Sequence, residues 1–116
     1  MMTNQRFPKR LRLLRAGEFE RVFAARTSAG DAWVVVYGAA NDLGHPRLGL
    51  TVSRRAGGAA ARNRWKRLLR EAFRRTQHEL PPLDLVCVPR AGTIPQLRPL
   101  MESLVTLAAR VQRQKR

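Results

Sequence analysis

Residues 62–75 read RNRWKRLLREAFRR, and two helical patterns are superimposed on this stretch. Apolar side chains recur at intervals of three and four residues, which places them on one face of an α-helix: Trp65, Leu68, Leu69, Ala72 and Phe73. A second face is basic and consists mainly of residues four positions apart: Arg62, Asn63, Lys66, Arg67, Arg70 and Arg74. The stretch therefore predicts a helix with one side in a hydrophobic core and much positive charge on another.

The basic face is unfavourable for an isolated helix. Like charges four residues apart each oppose helix formation by roughly 0.2–0.5 kcal/mol, and Glu71 is the one acid in the stretch that offsets them. Two interpretations remain at this point, a solvated basic surface and a surface that binds a polyanion. The one-sided density of charge favours the second.

The composition of the whole chain is also strongly basic. Its 116 residues include 23 Lys and Arg against 8 Asp and Glu, a net charge of +15. This length predicts a single domain, 1–116, and this charge indicates nucleic acid or an anionic membrane surface as partner. The sequence shows neither a membrane-spanning stretch nor a signal peptide, so we expect a cytoplasmic protein that binds RNA rather than a membrane. One cysteine, Cys87, permits no internal disulfide and is predicted to lie in a buried strand.

Hydrophobic periodicity and turn residues predict an α+β sandwich in which a small sheet packs against helices, in the order α-β-β-β-α-β-α. We expect a first helix within residues 13–26, with a plausible N-terminal boundary near Gly17 and with Leu14, Phe19, Val22 and Phe23 able to line one face. Residues 27–31 are rich in turn formers and could include a short edge strand. Residues 33–37 and 48–53 are predicted strands, best paired as an antiparallel hairpin.

The second half of the chain is more regular. The basic helix is expected to begin near Ala59 and to end before Pro81, followed by a central strand over residues 83–88 and a closing helix over residues 97–113. Leu100, Leu104, Leu107, Ala108 and Val111 are predicted to face the core. Residues 1–12 are expected to form a loose arm, flexible at least over residues 1–10, and residues 112–116 a flexible tail.

The inventory of reactive side chains is small. His45, His78 and Cys87 have no metal-ligand spacing, so no metal site is predicted in the protein. Glu18 and Glu20 lie two positions apart on a helix and point in different directions, which does not suit a carboxylate pair. A glycine pair at 57–58 lacks the Lys and Ser or Thr that complete a phosphate-binding loop. The sequence therefore does not support an enzyme that acts alone.

Two consecutive motifs give the chain a family resemblance. LTVSRR at residues 50–55 and ARNRWKRLLREAF at 61–73 resemble the protein subunit of bacterial ribonuclease P. That family has a strand ending in Ser-Val-Ser-Lys-Lys, a glycine-containing loop, and then Arg-Asn-Arg-x-Lys-Arg-Leu-x-Arg-Glu. Residues 14–23, 34–37 and 84–90 are similar to its first helix, an early strand and its last strand. Departures include Trp65 for an aliphatic residue, arginines for two lysines, and Gly58 where Asn is common.

The resemblance implies a fold and a division of labour. The fold is a mixed sheet with a left-handed βαβ crossover, like that of the second domain of ribosomal protein S5, although such connections are right-handed in about 98% of proteins. A catalytic RNA subunit removes the 5′ leader from precursor tRNA with Mg²⁺ held mainly by RNA. The protein, one copy per RNA, is inactive alone. It binds the RNA subunit and the leader, broadening substrate use and aiding catalysis.

The resemblance also implies roles for particular residues. The basic helix would bind the RNA subunit through Arg62, Asn63, Arg64, Lys66, Arg67 and Arg70. A cleft for the single-stranded leader would be lined by Phe19, Phe23, Tyr37, Ser53 and Arg70. Additional phosphate contacts would come from Arg54, Arg55 and Arg74. Aromatic side chains that stack on successive bases suit a leader of any sequence, but aromatics four apart on a helix suit a hydrophobic core equally well.

Two other functions fit parts of the sequence. A ribosomal or general RNA-binding protein with no processing role would share the basic helix, and the RNA that copurifies with the protein would distinguish it. An autonomous nuclease would hydrolyse RNA without an RNA subunit, and the thin catalytic inventory disfavours it.

Overall fold

The computed structural model describes residues 7–114, and its elements follow the predicted order. They are α1 (Ala16–Ala24), β1 (Ser28–Gly30), β2 (Val34–Ala40), β3 (Arg47–Leu50), α2 (Ala59–Thr76), β4 (Leu83–Pro89) and α3 (Leu97–Gln114). Short 3-10 turns at Lys9–Leu11, Arg54–Ala56 and Gln77–Glu79 lie between them or before them. The predicted α+β class and the α-β-β-β-α-β-α order are confirmed.

The four strands form one mixed sheet in the order β1-β2-β4-β3. β2 pairs antiparallel with β4 along its whole length, from Val34 opposite Pro89 to Ala40 opposite Leu83. β1 pairs antiparallel with β2 at one edge, and β3 pairs parallel with β4 at the other. The short edge strand and the central position of β4 are therefore as predicted.

The predicted hairpin between β2 and β3 is wrong. β4 lies between these strands and pairs with both, so β2 and β3 are not hydrogen-bonded to each other although they are consecutive in sequence. The physical reason is burial: Leu83, Leu85, Val86 and Cys87 are at most 4% exposed, and such a run needs a partner on each side. α2 forms the crossover that the parallel β3–β4 pair requires. The left-handedness of this crossover stays a prediction.

The main core lies between α2, α3 and one face of the sheet. The predicted core side of α2 is confirmed, with Trp65, Leu69, Ala72 and Phe73 at most 1% exposed, while Leu68 is half-buried. The five apolar positions predicted for α3 are all fully buried. Cys87 is buried on β4 facing the same core, as expected.

Both ends of the described chain pack against the sheet and the helices. The centroid of the Phe7 ring lies 5.2 Å from that of the Phe73 ring, and Leu11 is 5% exposed. Arg12 forms an isolated parallel β-bridge with Leu48 of β3. At the other end α3 continues to Gln114, whose side-chain amide donates a hydrogen bond of 3.0 Å to the Ser28 carbonyl. Residues 7–12 and 112–114 thus make defined contacts with the rest of the fold, and the flexibility expected for the ends stays a prediction. Residues 1–6 and 115–116 lie outside the described part, and their flexibility stays a prediction.

The first helix is shorter than the full span 13–26, and it begins beside Gly17, near the expected boundary. The Glu18 carboxylate accepts hydrogen bonds from the backbone N–H groups of Leu14 (2.9 Å) and Arg15 (3.1 Å), which fixes the start of α1 at Ala16. Leu14 therefore precedes the helix and is 58% exposed, not part of the packed face. The second predicted strand is also shorter, since β3 ends at Leu50 and Ser53 begins the turn that leads into α2.

Candidate nucleic-acid interface

The burial of one side of α2 against α3 and the sheet directs the basic side outward. Asn63, Arg64, Arg67 and Arg70 are exposed, and Arg62 and Lys66 are half-buried. We call these six residues the α2 basic surface. Because its orientation follows from the apolar stripe on the opposite side, the position of this surface is fixed by the core itself.

Positive charge on the α2 basic surface is not neutralised within the part of the chain that the structure describes. Its arginines and lysine form no ion pair or side-chain hydrogen bond with residues 7–114. The Nε atom of Arg62 is in addition buried without a hydrogen-bond partner. The exposed guanidinium groups of this surface are therefore available to acceptors from another molecule.

The last turns of α2 differ, because Glu71 neutralises part of their charge. Its carboxylate accepts hydrogen bonds from Arg74 (Nε to Oε1, 2.9 Å) and Arg75 (Nε to Oε2, 2.6 Å). The hydrogen bonds from Arg74 and then Arg75 hold the pKa of Glu71 below its ordinary value. Arg74, expected among the phosphate contacts, is thus engaged within the protein and half-buried.

A second candidate surface lies on the opposite face of the sheet, where α1 packs on β2 and β4. Val22 is the fully buried anchor of this small cluster, which also includes Leu13, Ala39 and Val86. Around it lie aromatic residues that stay partly accessible: the Phe23 ring meets the Tyr37 ring edge-on at 4.8 Å, and Phe23 is 37% exposed. Phe19 and Tyr37 are half-buried in the same cluster. We call Phe19, Phe23 and Tyr37 the aromatic cleft.

Gly49 on β3 determines how deeply Phe19 enters the aromatic cleft. A Cβ atom at Gly49 would lie 2.8 Å from the Cε2 and Cζ atoms of the Phe19 ring and 3.0 Å from Cβ of Leu13. Real carbon atoms do not approach so closely, so Phe19 can rest on this strand only because the residue has no side chain. Sequence reasoning missed Gly49, although a glycine inside a strand pattern signals a close approach.

A buried ion-pair network ties α1 to the sheet beside the aromatic cleft. The Asp84 carboxylate, whose side chain is fully buried at the start of β4, receives Arg47 in a bidentate pair (Nε to Oδ1, 2.8 Å; Nη2 to Oδ2, 2.7 Å). Asn41 donates to Oδ1 at 2.9 Å, and Arg21 of α1 contacts Oδ2. Arg47 also reaches Glu18 at 3.3 Å. The network therefore joins α1 to β3, β4 and the β2–β3 loop.

Burial would raise the pKa of Asp84, but the hydrogen bonds from Arg47 and Asn41 and the charges of Arg47 and Arg21 outweigh it. The net effect lowers the pKa of this carboxyl below its ordinary value. The backbone hydrogen bonds from Arg15 and Leu14 likewise lower the pKa of Glu18. Sequence reasoning missed this network, although an Asp inside an otherwise apolar strand signals a buried partner.

Four other residues were predicted to contact RNA: Ser53, Arg54, Arg55 and Arg70. Arg54 and Arg55 are exposed in the turn before α2, where the Ser53 hydroxyl accepts a hydrogen bond from the Arg55 backbone N–H at 3.3 Å. Ser53 is exposed and makes no described contact with the aromatic cleft. Arg70 belongs to α2, which packs on the other face of the sheet from α1. The structure therefore assembles three of the five cleft residues, Phe19, Phe23 and Tyr37.

Within residues 7–114, no group of three or more His, Cys, Asp or Glu is placed to hold a metal ion. Across the same residues, no helix is both long enough and apolar enough to span a bilayer.

The fold and these two surfaces define a small, basic α+β protein of the RNA-binding class. The family model of ribonuclease P matches residues 7–111. The ribonuclease P protein component of Cronobacter sakazakii is 48% identical over 92 residues, which cover 78% of this chain and 77% of that protein. The chain therefore belongs to the ribonuclease P protein family, and the resemblance that the motifs indicated is confirmed.

Solved structures agree with the sequence relatives. The RNase P protein from Thermotoga maritima matches with a TM-score of 0.74 and 31% identity over 82% of this chain and 92% of that one. The RNase P protein of Staphylococcus aureus matches with a TM-score of 0.73 and 27% identity over 84% and 91% of the two chains. These neighbours share the architecture described above, a small mixed sheet with three helices.

Proposed function

We propose that this protein is the accessory subunit of ribonuclease P, the endoribonuclease that removes the 5′ leader from precursor tRNA. Its RNA partner is the catalytic RNA subunit, and the chemistry takes place on that RNA. The observation that carries the proposal is the α2 basic surface, which combines the family's Arg-Asn-Arg motif with side chains that have no acidic partner among the described residues. The comparisons do not favour a ribosomal or general RNA-binding protein.

In this proposal the α2 basic surface binds phosphates of the RNA subunit. Its guanidinium groups match phosphate geometry, and each contact releases counterions from the RNA. Arg54 and Arg55 extend the surface in front of α2 as exposed, additional phosphate contacts. Arg74 contributes long-range charge and not a direct contact, since Glu71 binds its guanidinium.

The aromatic cleft binds the 5′ leader of precursor tRNA. The partly exposed rings of Phe23 and Tyr37 offer stacking surfaces that accept any base, each worth about 1–3 kcal/mol. Phe19 supports them from the edge of the core, above Gly49. Arg70, which lies on the other face of the sheet from α1, is assigned to the RNA subunit alone, and exposed Ser53 is not part of the aromatic cleft.

Catalysis depends on Mg²⁺ held mainly by RNA phosphates. The protein aids this step by lowering the repulsion between the RNA subunit and its substrate, which reduces the Mg²⁺ concentration that cleavage needs. One copy of the protein acts with one RNA, in the cytoplasm.

Reconstitution at low Mg²⁺ tests the proposal. We expect that adding the purified protein to the cognate RNA subunit restores cleavage of precursor tRNA at Mg²⁺ concentrations where the RNA alone is inactive. The double variant Arg62→Ala, Arg67→Ala should need more protein for the same rescue. Arg75→Ala, which removes an exposed arginine already bound to Glu71, is the matched control. No rescue at any salt concentration would contradict the proposal, and RNA cleavage by the protein alone would indicate an autonomous nuclease.

A further inference from the structure

A cavity of about 600 Å³ opens at the beginning of α2. It lies between the first turns of that helix, the turn before it, and the loop that connects β4 to α3. This volume is within the range of about 300–1,000 Å³ that is typical of sites for small organic groups. The lining residues come from these three segments: Arg55, Ala56, Gly57, Ala60, Ala61, Arg64, Trp65, Gly92, Thr93, Ile94 and Pro95.

The lining combines apolar surface with positive charge. Trp65, at 1% exposure, lines the cavity from the core side, and Ile94 remains 67% exposed beside it. Arg55 and Arg64 are both exposed and free of ion pairs, and among the described lining residues there is no carboxylate. Other cavities differ in this respect: one of about 620 Å³ includes Asp42, and one of about 280 Å³ includes Glu79 and Glu102.

We propose that this cavity receives one unstacked nucleobase of the RNA subunit. RNA is recognised through unpaired bases that leave the stack and lie against apolar side chains and arginine planes, while the attached phosphates require positive charge. The cavity offers both, since Ile94 and the alanine surface would cover the base and two guanidinium groups flank it.

The choice of the RNA subunit over the leader rests on the proposed function and on position. Arg64 belongs both to the cavity and to the α2 basic surface. The aromatic cleft for the leader lies on the opposite face of the sheet, under α1. A base in the cavity would therefore belong to the same RNA that contacts the α2 basic surface.

Two adjacent alanines allow a matched test. Ala59 and Ala60 are both exposed in the first turn of α2, but only Ala60 is among the described lining residues of the cavity. Leucine is nearly as good a helix former as alanine, so Ala60→Leu fills the cavity and Ala59→Leu controls for the added bulk. A second pair removes apolar surface: Ile94→Ser within the cavity, and Leu43→Ser, another exposed side chain, at the opposite end of β4.

The measurements are binding of the RNA subunit without substrate and chemical probing of its unpaired bases. We expect the wild-type protein to protect one unpaired base. Ala60→Leu and Ile94→Ser should restore its reactivity and weaken binding about five- to tenfold, a loss of roughly 1–1.4 kcal/mol. Ala59→Leu and Leu43→Ser should match the wild type, and thermal unfolding should show all four variants folded.

Equal behaviour of Ala60→Leu and Ala59→Leu, or a protected base that both cavity variants leave protected, would overturn the cavity proposal while leaving the proposed function intact. Failure of the wild-type protein to bind the RNA subunit would instead overturn the proposed function. When the probing is repeated with precursor tRNA bound, protection of a leader base that Ala60→Leu abolishes would assign the cavity to the substrate and would also overturn the proposal.

Discussion

At the scale of single residues, Asp84 shows how a buried charge can hold a functional surface in place. Its carboxylate joins Arg21 on α1 to Arg47 on β3, next to the rings that form the aromatic cleft. α1 has only one fully buried side chain, Val22, so hydrophobic contact alone fixes it weakly. The ion-pair network therefore supplies much of the orientation of this helix.

Replacement of this carboxylate should destabilise the fold. Asp84→Asn leaves half-buried Arg47 with only Glu18, at 3.3 Å, as a charged partner. We expect a loss of about 3 kcal/mol in the free energy of unfolding, at the low end for a buried pair because Arg21 and Arg47 keep contact with water. Urea denaturation measures the loss. Asp42→Asn is the matched control, since Asp42 is exposed at φ 58°, where asparagine is tolerated. Equal stability of the two variants would contradict the role of the network.

The same carboxylate should make stability depend on acid pH. Its pKa is lower in the folded than in the unfolded protein, so its contribution is complete above the unfolded pKa of about 3.9 and is lost as the pH falls through the folded pKa. The difference in unfolding free energy between wild type and Asp84→Asn should therefore shrink below about pH 4. A difference that stays constant between pH 6 and roughly pH 2 would show that Asp84 is not the titrating group.

Gly49 sets the depth of the aromatic cleft. In Gly49→Ala the new methyl group overlaps the Phe19 ring, so we expect a loss of about 1–3 kcal/mol of stability from overpacking and weaker binding of the precursor tRNA leader. Gly17→Ala is the control, because a Cβ atom there meets nothing within 4 Å and helix α1 should gain roughly 0.5–1 kcal/mol. Unchanged leader affinity in Gly49→Ala would separate Phe19 from leader binding.

These residues also show a limit of prediction from sequence. The sequence marks Gly49 as unusual within a strand and Asp84 as unusual within an apolar run, but their partners lie 30 or more positions away. Such contacts depend on the strand order, which the local pattern does not contain. The basic side of α2 could be predicted because it depends only on the spacing of residues within one helix.

At the scale of elements, α2 carries both the core and the candidate RNA contact. Its periodicity predicted the buried side correctly from Trp65 to Phe73, because burial on a helix depends on spacing within that helix. The sheet was harder to predict. Both β2 and β3 were correctly predicted as strands, but their pairing was wrong, because β4 lies between them in the sheet although it begins 33 residues after the end of β3. Arg74, predicted as a phosphate contact, hydrogen-bonds with Glu71 one turn before it, and its role toward RNA stays a prediction.

The arginines of α2 should differ in their contribution to salt-dependent binding. Arg62→Ala and Arg67→Ala should each lower the steepness of the salt dependence for the RNA subunit, since each phosphate contact contributes a slope of roughly −0.7 to −0.9. Arg75→Ala should change this slope little, because Glu71 already binds that guanidinium. Binding constants measured across a salt series give the slopes. An unchanged slope in both of the first two variants would contradict the assigned contacts.

At the scale of the whole molecule, one four-stranded sheet separates two surfaces of different chemistry. α2 and α3 cover one face, and the α2 basic surface on that side has no ion-pair partner within residues 7–114. α1 covers the other face incompletely and leaves aromatic rings accessible. The fold class, element order and basic surface were predictable from composition and periodicity. The separation of the surfaces onto opposite faces was not, because it follows from the strand order and from the position of α1.

The central claim is that these surfaces bind different RNAs, and the dependence of substrate affinity on the leader tests it most directly. In the reconstituted enzyme, Phe23→Ala should reduce the preference for precursor tRNA with a leader over leaderless tRNA by about fivefold or more, the loss of one stacking contact of roughly 1–3 kcal/mol. Binding of the RNA subunit should not change. Leu14→Ala, at an exposed apolar residue before α1, should leave both quantities unchanged, and Arg67→Ala should weaken only RNA-subunit binding. If Phe23→Ala keeps the full leader preference, or if Phe23→Ala and Arg67→Ala impair the same binding step, the assignment of the two surfaces is contradicted.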